Sequence, residues 1–150
     1  SKFLTDTRGT GVINRLFNSY AVYKGEISGR RNGVLISNDT GQAVAYALFN
    51  LQDRGDMFVS HQTPVHQGMI VGEHNRSNDL EVNVLRGKKL TNVRASGTDD
   101  AVSLSPPRNL TLEDMMAYLN QDELLEVTPI TLRLRKQFLL SHERKKAARN

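Results

Sequence analysis

The stretch that decides the fold is TPVHQGMIVG, residues 63–72. Apolar and β-branched side chains lie on both sides of Gly68, which predicts a strand, a glycine turn and a second strand. Upstream, Val34–Ser37 is predicted to be a strand, followed by a turn at Asn38–Gly41 and a strand at Gln42–Leu48 that pairs back as a hairpin. Short strands broken by turns at this spacing predict an α+β fold, with a β-rich, barrel-like antiparallel core, one or two short helices and a long basic loop.

Three weaker signals surround this core. The residues from Val12 to Tyr20 could form a strand or a poor helix, and the β-branched pair Val12-Ile13 favours the strand. One helical turn is predicted from Leu48 to a stop at Gly55. Another strand is predicted at Met57–Ser60.

The clearest local signal is a helix that begins at Thr111. Asp114 stands three residues on, where its carboxylate can complete a capping box, and Leu110 and Met115 are spaced as a hydrophobic staple. The helix is predicted to run to about Asn120. Its expected buried face consists of Leu112, Met115, Met116 and Leu119.

The last part of the chain alternates in polarity. Leu124–Thr128 is predicted to be a strand, and in the strand at 130–138 Ile130, Leu132 and Leu134 should point inward. Arg133 and Arg135 would then share its solvent face. Ser141 is placed to cap a final short helix rich in Lys, Arg and Ala.

Composition excludes several classes of site. The chain has 150 residues and no cysteine, so a disulfide scaffold, a thiol nucleophile and Cys-ligated metal sites are excluded. No apolar run approaches the roughly 20 residues of a membrane span. The start Ser1-Lys2-Phe3-Leu4 has neither an initiator Met nor a signal-peptide pattern, so we expect a soluble cytosolic domain that is a piece of a longer protein.

The charge is placed unevenly. Residues 1–126 carry 13 basic and 15 acidic side chains, whereas residues 127–150 carry seven basic side chains and one acidic. The positive balance therefore lies in the tail, which favours a polyanionic partner, nucleic acid first. The alternative is a solvated, frayed C-terminal helix whose Lys and Arg side chains complement its own dipole.

Catalytic chemistry has little support in the sequence. There is no GxxxxGK[ST] phosphate loop, no GxSxG and no HExxH. The four histidines have no spacing that enforces a metal site: they are His61, His66, His74 and His142. We expect no catalytic residue, metal site or cofactor site in this chain. A small hydrolase or transferase would need two convergent polar side chains in one pocket.

A basic cluster lies in a long polar segment, from about residue 75 to residue 100. Its candidate RNA contacts are Arg86, Lys88, Lys89, Asn92 and Arg94. Cations and an amide beside Gly87 suit phosphate contacts and edge hydrogen bonds to structured RNA. The alternative is an ordinary solvated loop, because a basic patch alone is a weak motif.

Two other basic groups leave both interpretations open. Arg133, Arg135 and Lys136 are RNA contacts or simply an exposed strand face. Arg30-Arg31 is an RNA contact or an arginine-bearing turn.

Several collinear blocks carry a family resemblance. They are FLTDTRGTG (3–11), GRRNGVLIS (29–37), AYAL (45–48), NLQDRG (50–55), GMIVGEH (68–74), DL (79–80), GKKLTN (87–92), RASGTD (94–99), DEL (122–124), EVTP (126–129) and LRLRK (132–136). Together they resemble the C-terminal part of the BipA/TypA ribosome-associated translational GTPases. The blocks cover essentially the whole chain and are far more specific than any short motif.

The resemblance implies a domain layout. Residues 1–24 would end an elongation-factor-G-like domain, and residues 25–150 would form a family-specific C-terminal domain with a ribosome-binding loop at about 75–100. GTP and Mg²⁺ would be held by an N-terminal GTPase domain of the parent protein, and this fragment would have no enzymatic activity.

The resemblance also implies partners. They are the ribosome, its 23S rRNA and the acceptor end of the A-site tRNA, in translation regulation, large-subunit assembly and the stress response. Lys88, Lys89, Asn92 and Arg94 then become the expected RNA contacts of a cytoplasmic monomer that binds no membrane. The alternative is a protein–protein adaptor that uses the 111–120 helix, which would require an exposed Met115/Met116 face.

Overall fold

The computed structural model describes residues 3, 7–23, 30, 32–87 and 103–149. The strands in these parts are β1 (Val34–Ser37), β2 (Gly41–Gln42), β3 (Gly55–Met57), β4 (Pro64–Val65), β5 (Ile70–His74), β6 (Leu80–Val82), β7 (Glu123–Val127) and β8 (Leu132–Lys136). The helices are α1 (Ala45–Leu51), α2 (Leu112–Tyr118) and α3 (Ser141–Ala147), and a 3₁₀ turn at Gln52–Arg54 continues α1.

Strand β1 is an inner strand of a four-stranded sheet with the order β3–β5–β1–β6. It pairs antiparallel with β5 and parallel with β6, and β3 pairs antiparallel with β5. All four residues of β1 are buried, as expected for a nearly continuous apolar run that is covered on both faces. The strands β2–β4 and β7–β8 form two separate two-stranded ladders.

The two faces of β1 belong to two different cores. Leu35 packs in a cluster with Leu48 of α1. Val34 and Ile36 alternate with it and pack in a second cluster with Leu134 of β8, against Met115 of α2. The central sheet therefore lies between α1 on one side and the α2 and β7–β8 layer on the other.

The predicted α+β class is confirmed, and most of the regular structure is β. Two details of the expected core differ. In the described parts of the chain the strands form an open sheet and two small ladders, with no closed barrel, and the pair β1–β6 is parallel. The parallel pairing is possible because the long connection from β1 to β6 contains α1 and four strands, enough to bring the chain back in the same direction.

The predicted hairpin after the turn at 38–41 is wrong. Gly41–Gln42 pairs with Pro64–Val65, and the following residues form helix α1. Ala47 and Leu48 are the buried residues of that helix, so its apolar side chains follow helical spacing and not the alternation of a strand. The stop at Gly55 is confirmed, since any side chain there would collide with the backbone carbonyl of Glu73 on β5.

The strand predicted at Val12–Tyr20 is wrong as well. Residues 11–23 have no regular secondary structure. Leu16 is 93% exposed and Tyr20 is 96% exposed. Among the described residues no strand pairs with this segment, so its β-branched side chains have no sheet to join.

The capping box of α2 is confirmed. The Thr111 hydroxyl accepts a hydrogen bond from the Asp114 amide at 3.2 Å, and the Asp114 carboxylate accepts one from the Thr111 amide at 3.2 Å. The predicted buried face is only partly right. Met115 and Leu119 pack on the second core, whereas Leu112 is 42% exposed and Met116 is 63% exposed.

The β7–β8 hairpin is confirmed with small corrections. Ile130 was predicted to point inward but is 92% exposed, because it lies in the turn between the strands. Ser141 is the first residue of α3 and not its cap, since Leu140 holds the cap position without a side-chain bond.

Candidate functional site

The described residues on both sides of the predicted RNA-binding loop are firmly held. Val84 is fully buried, and its carbonyl accepts a hydrogen bond from the Val44 amide at 2.9 Å. On the other flank, the Ser105 amide and hydroxyl donate to the Gln52 side-chain oxygen at 3.1 and 2.7 Å. Leu85 and Leu104 pack against the same core cluster, the one that contains Leu35. Both flanks therefore lie on the same side of the domain, next to the core cluster that contains Leu35.

Of the five predicted loop contacts, the structure describes Arg86. This residue is exposed and follows directly on the anchored flank. The other four, Lys88, Lys89, Asn92 and Arg94, lie outside the described residues, as does the second half of the predicted loop, 88–100. The first half is not simply a loop, because it contains strand β6 and the buried Val84. Arg86 thus marks the point where the chain leaves the packed core.

Arg133 and Arg135 lie two residues apart on β8 and share one face of the strand. Arg133 is paired across the ladder with Glu126, and its Nε donates to the Thr131 hydroxyl at 3.0 Å. Arg135 is opposite Leu124, and its Nη1 donates to the Lys136 carbonyl at 3.2 Å. Both are half-buried. Each guanidinium group donates one hydrogen bond within the protein, and both side chains remain partly exposed to solvent.

Lys136 does not fit the prediction that it contacts RNA. Its side chain is 2% exposed, and its ammonium lies 2.6 Å from Asp79, 2.7 Å from Asp122 and 2.9 Å from Glu123. Burial lowers the pKa of Lys136, but the hydrogen bonds to these carboxylates outweigh it, so the pKa lies above its usual value. The alternation of β8 already places Lys136 on the same inward face as Leu134.

Arg30 lies in the same ion cluster. It forms two hydrogen bonds with Glu123, at 2.7 and 2.9 Å, and its guanidinium carbon lies 4.4 Å from the centre of the Tyr118 ring. Burial raises the pKa of Glu123, but the bonds from Arg30 and Lys136 outweigh it and leave the pKa below its usual value. Of the two interpretations of Arg30, the structure supports a role in packing. Arg31 lies outside the described residues.

An apolar groove lies between the tip of the β7–β8 hairpin and the central sheet. Its volume is about 520 Å³. Phe58, Ile70, Met115 and Ile130 are among the residues that line it. The tip itself is closed by Thr128, whose hydroxyl accepts from the Thr131 amide at 2.9 Å.

The histidines are dispersed. His66 Nε2 lies 3.2 Å from a Glu126 oxygen, and His74 Nδ1 lies 2.6 Å from the Asn78 carbonyl. In the ranges that the structure covers, no group of three or more His, Asp or Glu side chains could hold a metal ion. No described helix is long and apolar enough to cross a membrane.

Comparison with known proteins identifies the family. The model of the TypA/BipA C-terminal domain matches residues 32–141. This chain belongs to the TypA/BipA C-terminal domain family. The match begins just before β1 and ends at the first residue of α3, so the family region contains the central sheet, the hairpin and the ion cluster apart from Arg30.

The similarity to curated relatives extends over essentially the whole of this chain. The large ribosomal subunit assembly factor BipA of Buchnera aphidicola from Schizaphis graminum is 55% identical over the full chain. The proteins of the same name from Escherichia coli K12 and Salmonella typhimurium are 54% and 53% identical over 99% of it. The chain spans 25% of the length of these relatives. The resemblance to the BipA/TypA family is therefore confirmed.

Sequence reasoning missed the most tightly connected residues of this BipA domain. Glu123 joins Arg30 and Lys136, which are 106 positions apart, but the predicted strand begins one residue later, at Leu124, and Glu123 enters only in the family-resemblance block at 122–124. Its position next to Asp122 and opposite Lys136 in the ladder was a usable signal. Asp79 and Arg30 could not have been assigned, because only the tertiary fold brings them to the hairpin.

Proposed function

We propose that this chain is the C-terminal ribosome-binding region of a BipA-type translational GTPase. The observation that carries the proposal is a sequence identity of 53–55% to proteins named large ribosomal subunit assembly factor BipA, over 99–100% of this chain. The region would act in the cytoplasm as a monomer and have no catalysis of its own. GTP and Mg²⁺ would be bound in another part of the parent protein.

The proposed RNA contacts are in the part of the segment at about 75–100 that follows β6 and the buried Val84. Lys88, Lys89, Asn92 and Arg94 would bind 23S rRNA and the acceptor end of the A-site tRNA, and Arg86 would support them at the loop base. Anchored flanks support this role, because a loop that leaves a rigid core can be positioned by docking of the rest of the domain. Residues 1–24 would belong to the preceding elongation-factor-G-like domain.

The test is co-sedimentation with purified large ribosomal subunits over a salt series. We compare the unmodified chain with Lys88→Gln/Lys89→Gln and with the matched control Arg54→Gln/Arg76→Gln, two exposed arginines whose side chains form no ion pair among the described residues. The loop variant should bind more weakly and lower the log–log salt slope by about 1.4 to 1.8, while the control binds normally. Equal binding by all three proteins would remove the loop from the proposal.

A second candidate function, a protein–protein adaptor on α2, has one observation in its favour. Leu112 and Met116 are one helical turn apart and both are exposed, although Met115 packs on the core. If α2 docks a protein, Leu112→Ser/Met116→Ser should weaken ribosome binding without changing its salt slope. Unchanged binding would exclude α2 as a docking surface on the ribosome.

A further inference from the structure

Arg144 makes the ion pair that docks helix α3 on the body of the domain. Arg144 Nη1 donates to the carbonyls of Phe138 and Leu139, at 2.8 and 2.7 Å, and Nη2 lies 2.8 Å from the Glu81 carboxylate on β6. Burial raises the pKa of Glu81, but hydrogen bonds from Ser141 and Arg144 outweigh it and hold the pKa below its usual value. These contacts tie α3 to the sheet edge, so the helix is not simply frayed in solvent.

Docking fixes which side of α3 faces solvent. Arg144, Ala147 and Ala148 line a cleft of about 290 Å³ together with Asp122 and Phe138, so this side faces the domain. At 100° per residue, positions 142, 145 and 146 fall on the opposite side of α3, and position 149 lies in the turn that directly follows the helix. They are occupied by His142, Lys145, Lys146 and Arg149, all exposed. We call these four residues the α3 basic face.

Among the described residues, the cations of this face have no carboxylate partner in an ion pair. No ion pair among the described residues involves Lys145, Lys146 or Arg149. Lys145 contributes only to the positive field at Glu81, whose carboxylate is bonded to Arg144. By contrast, Lys136 is neutralised inside the ion cluster. The excess positive charge of the tail is therefore concentrated on the outside of α3 and on the solvent side of β8.

We infer that the α3 basic face binds the phosphate backbone of double-helical RNA. This inference rests on the proposed ribosome binding and adds a second contact surface, separate from the loop at 75–100. Two cations on one side of a short helix and a third in the turn after it match closely spaced phosphates, so the contact would position the domain without reading sequence. An anionic membrane fits less well, because none of the four outward side chains is apolar and could enter a bilayer.

The test uses the full chain and a fluorescent RNA duplex of mixed sequence, with binding followed by anisotropy over a salt series. The variant is Lys145→Gln/Lys146→Gln/Arg149→Gln. The matched control, Arg15→Gln/Arg54→Gln/Arg76→Gln, removes the same charge from exposed positions elsewhere. We expect the α3 variant to lower the log–log salt slope by about 2 to 3 and the affinity by about 100-fold at about 0.1 M salt, whereas the control keeps most of its binding.

Three results would overturn the inference. They are absence of duplex binding by the unmodified chain at low salt, equal losses in variant and control, and binding to vesicles with anionic lipid but not to the duplex. Circular dichroism and thermal unfolding of the variant verify that α3 and the domain remain folded.

Ribosome co-sedimentation of the same proteins separates this inference from the proposed function. Normal ribosome binding by the α3 variant would exclude the α3 basic face as a ribosome contact and leave the proposed function intact. Duplex binding through α3 without any ribosome association would contradict the proposed function and leave the RNA-binding role of the α3 basic face intact.

Discussion

Arg30 and Glu123, 93 positions apart in the sequence, form a bidentate ion pair in which neither side chain is more than 6% exposed. The same carboxylate accepts from Lys136 at 2.9 Å and from the Asn120 amide at 3.1 Å. Glu123 thus joins the segment before β1, the end of α2 and both strands of the hairpin. It is the polar centre of the interface between the sheet and the α2 and β7–β8 layer.

The substitution Glu123→Gln should lower the free energy of unfolding by about 3 kcal/mol, because it leaves Arg30 without its carboxylate in a buried site. Urea unfolding measures this loss. Glu113→Gln makes the same chemical change at an exposed position of α2 and should shift the free energy by less than about 0.5 kcal/mol. A loss below about 1 kcal/mol for Glu123→Gln would mean that the cluster contributes little to stability.

Stability should depend on pH through the same cluster. Because the pKa of Glu123 is lower in the folded chain than its ordinary value of 4.5, its contribution is present above pH 4.5 and is lost as pH falls through the folded-state pKa. Lys136 acts in the opposite direction: its pKa is raised above 10.5, so its contribution is lost above that pH. The urea concentration at the unfolding midpoint should therefore decrease as the pH is lowered below 4.5. In Glu123→Gln this decrease should be smaller. An equal decrease of the urea midpoint at low pH in the variant and in the unmodified chain would show that Glu123 does not cause it.

Gly68→Ala should destabilise the domain by more than about 2 kcal/mol. Gly68 has a φ of +80°, and a Cβ atom there would lie 2.7 Å from the Leu139 backbone. Gly87→Ala is the matched control, since a Cβ at Gly87 meets nothing within 4 Å. Thermal unfolding of both variants measures the difference. Equal unfolding midpoints would show that the backbone around Gly68 shifts to accommodate a Cβ atom at little cost.

Thr111→Ala should cost about 1 kcal/mol, because the capping box of α2 loses its hydroxyl acceptor. Thr111→Ser keeps the acceptor and should retain most of the stability. Hydrogen exchange of the α2 amides would show faster exchange in the alanine variant alone. Similar exchange in both variants would indicate that packing of Met115 and Leu119, and not the cap, holds the helix.

Arg144→Gln should release α3 from the sheet. The glutamine cannot replace the contacts to the Phe138 and Leu139 carbonyls and to Glu81 together. Amides of 141–147 should then exchange faster, while those of β1 and β5 keep their protection. If α3 remains protected in this variant, its position depends on contacts other than Arg144.

The sequence predicts features that depend on neighbouring residues, such as turns and helix caps. It does not predict which distant strands pair with each other. The glycine turn between β4 and β5 and the capping box of α2 were predictable, because a few neighbouring residues determine each. The partner of β2 was not, since Gly41–Gln42 pairs with residues more than 20 positions away. Strand alternation placed Arg133 and Arg135 outward, and the same period would have placed Lys136 inward beside Leu134.

The candidate site was less accessible to prediction. A basic cluster predicts an affinity for polyanions, but which cations remain free depends on the fold. Lys136 and Arg144 are both bonded to carboxylates of distant segments, whereas Lys145 and Lys146 are not. Sequence alone could not sort the basic tail into these two groups.

The central position of β1 has a consequence for synthesis of the chain. Strand β1 is made early, yet its neighbours β5 and β6 and its cover, Leu134 of β8, all come later. During translation Val34 and Ile36 therefore have no native cover until the hairpin has left the exit tunnel. Contacts of such wide sequence separation fold slowly. The first strand in the described part of the domain is thus among the last to be protected, and nascent chains are most prone to aggregation in that interval.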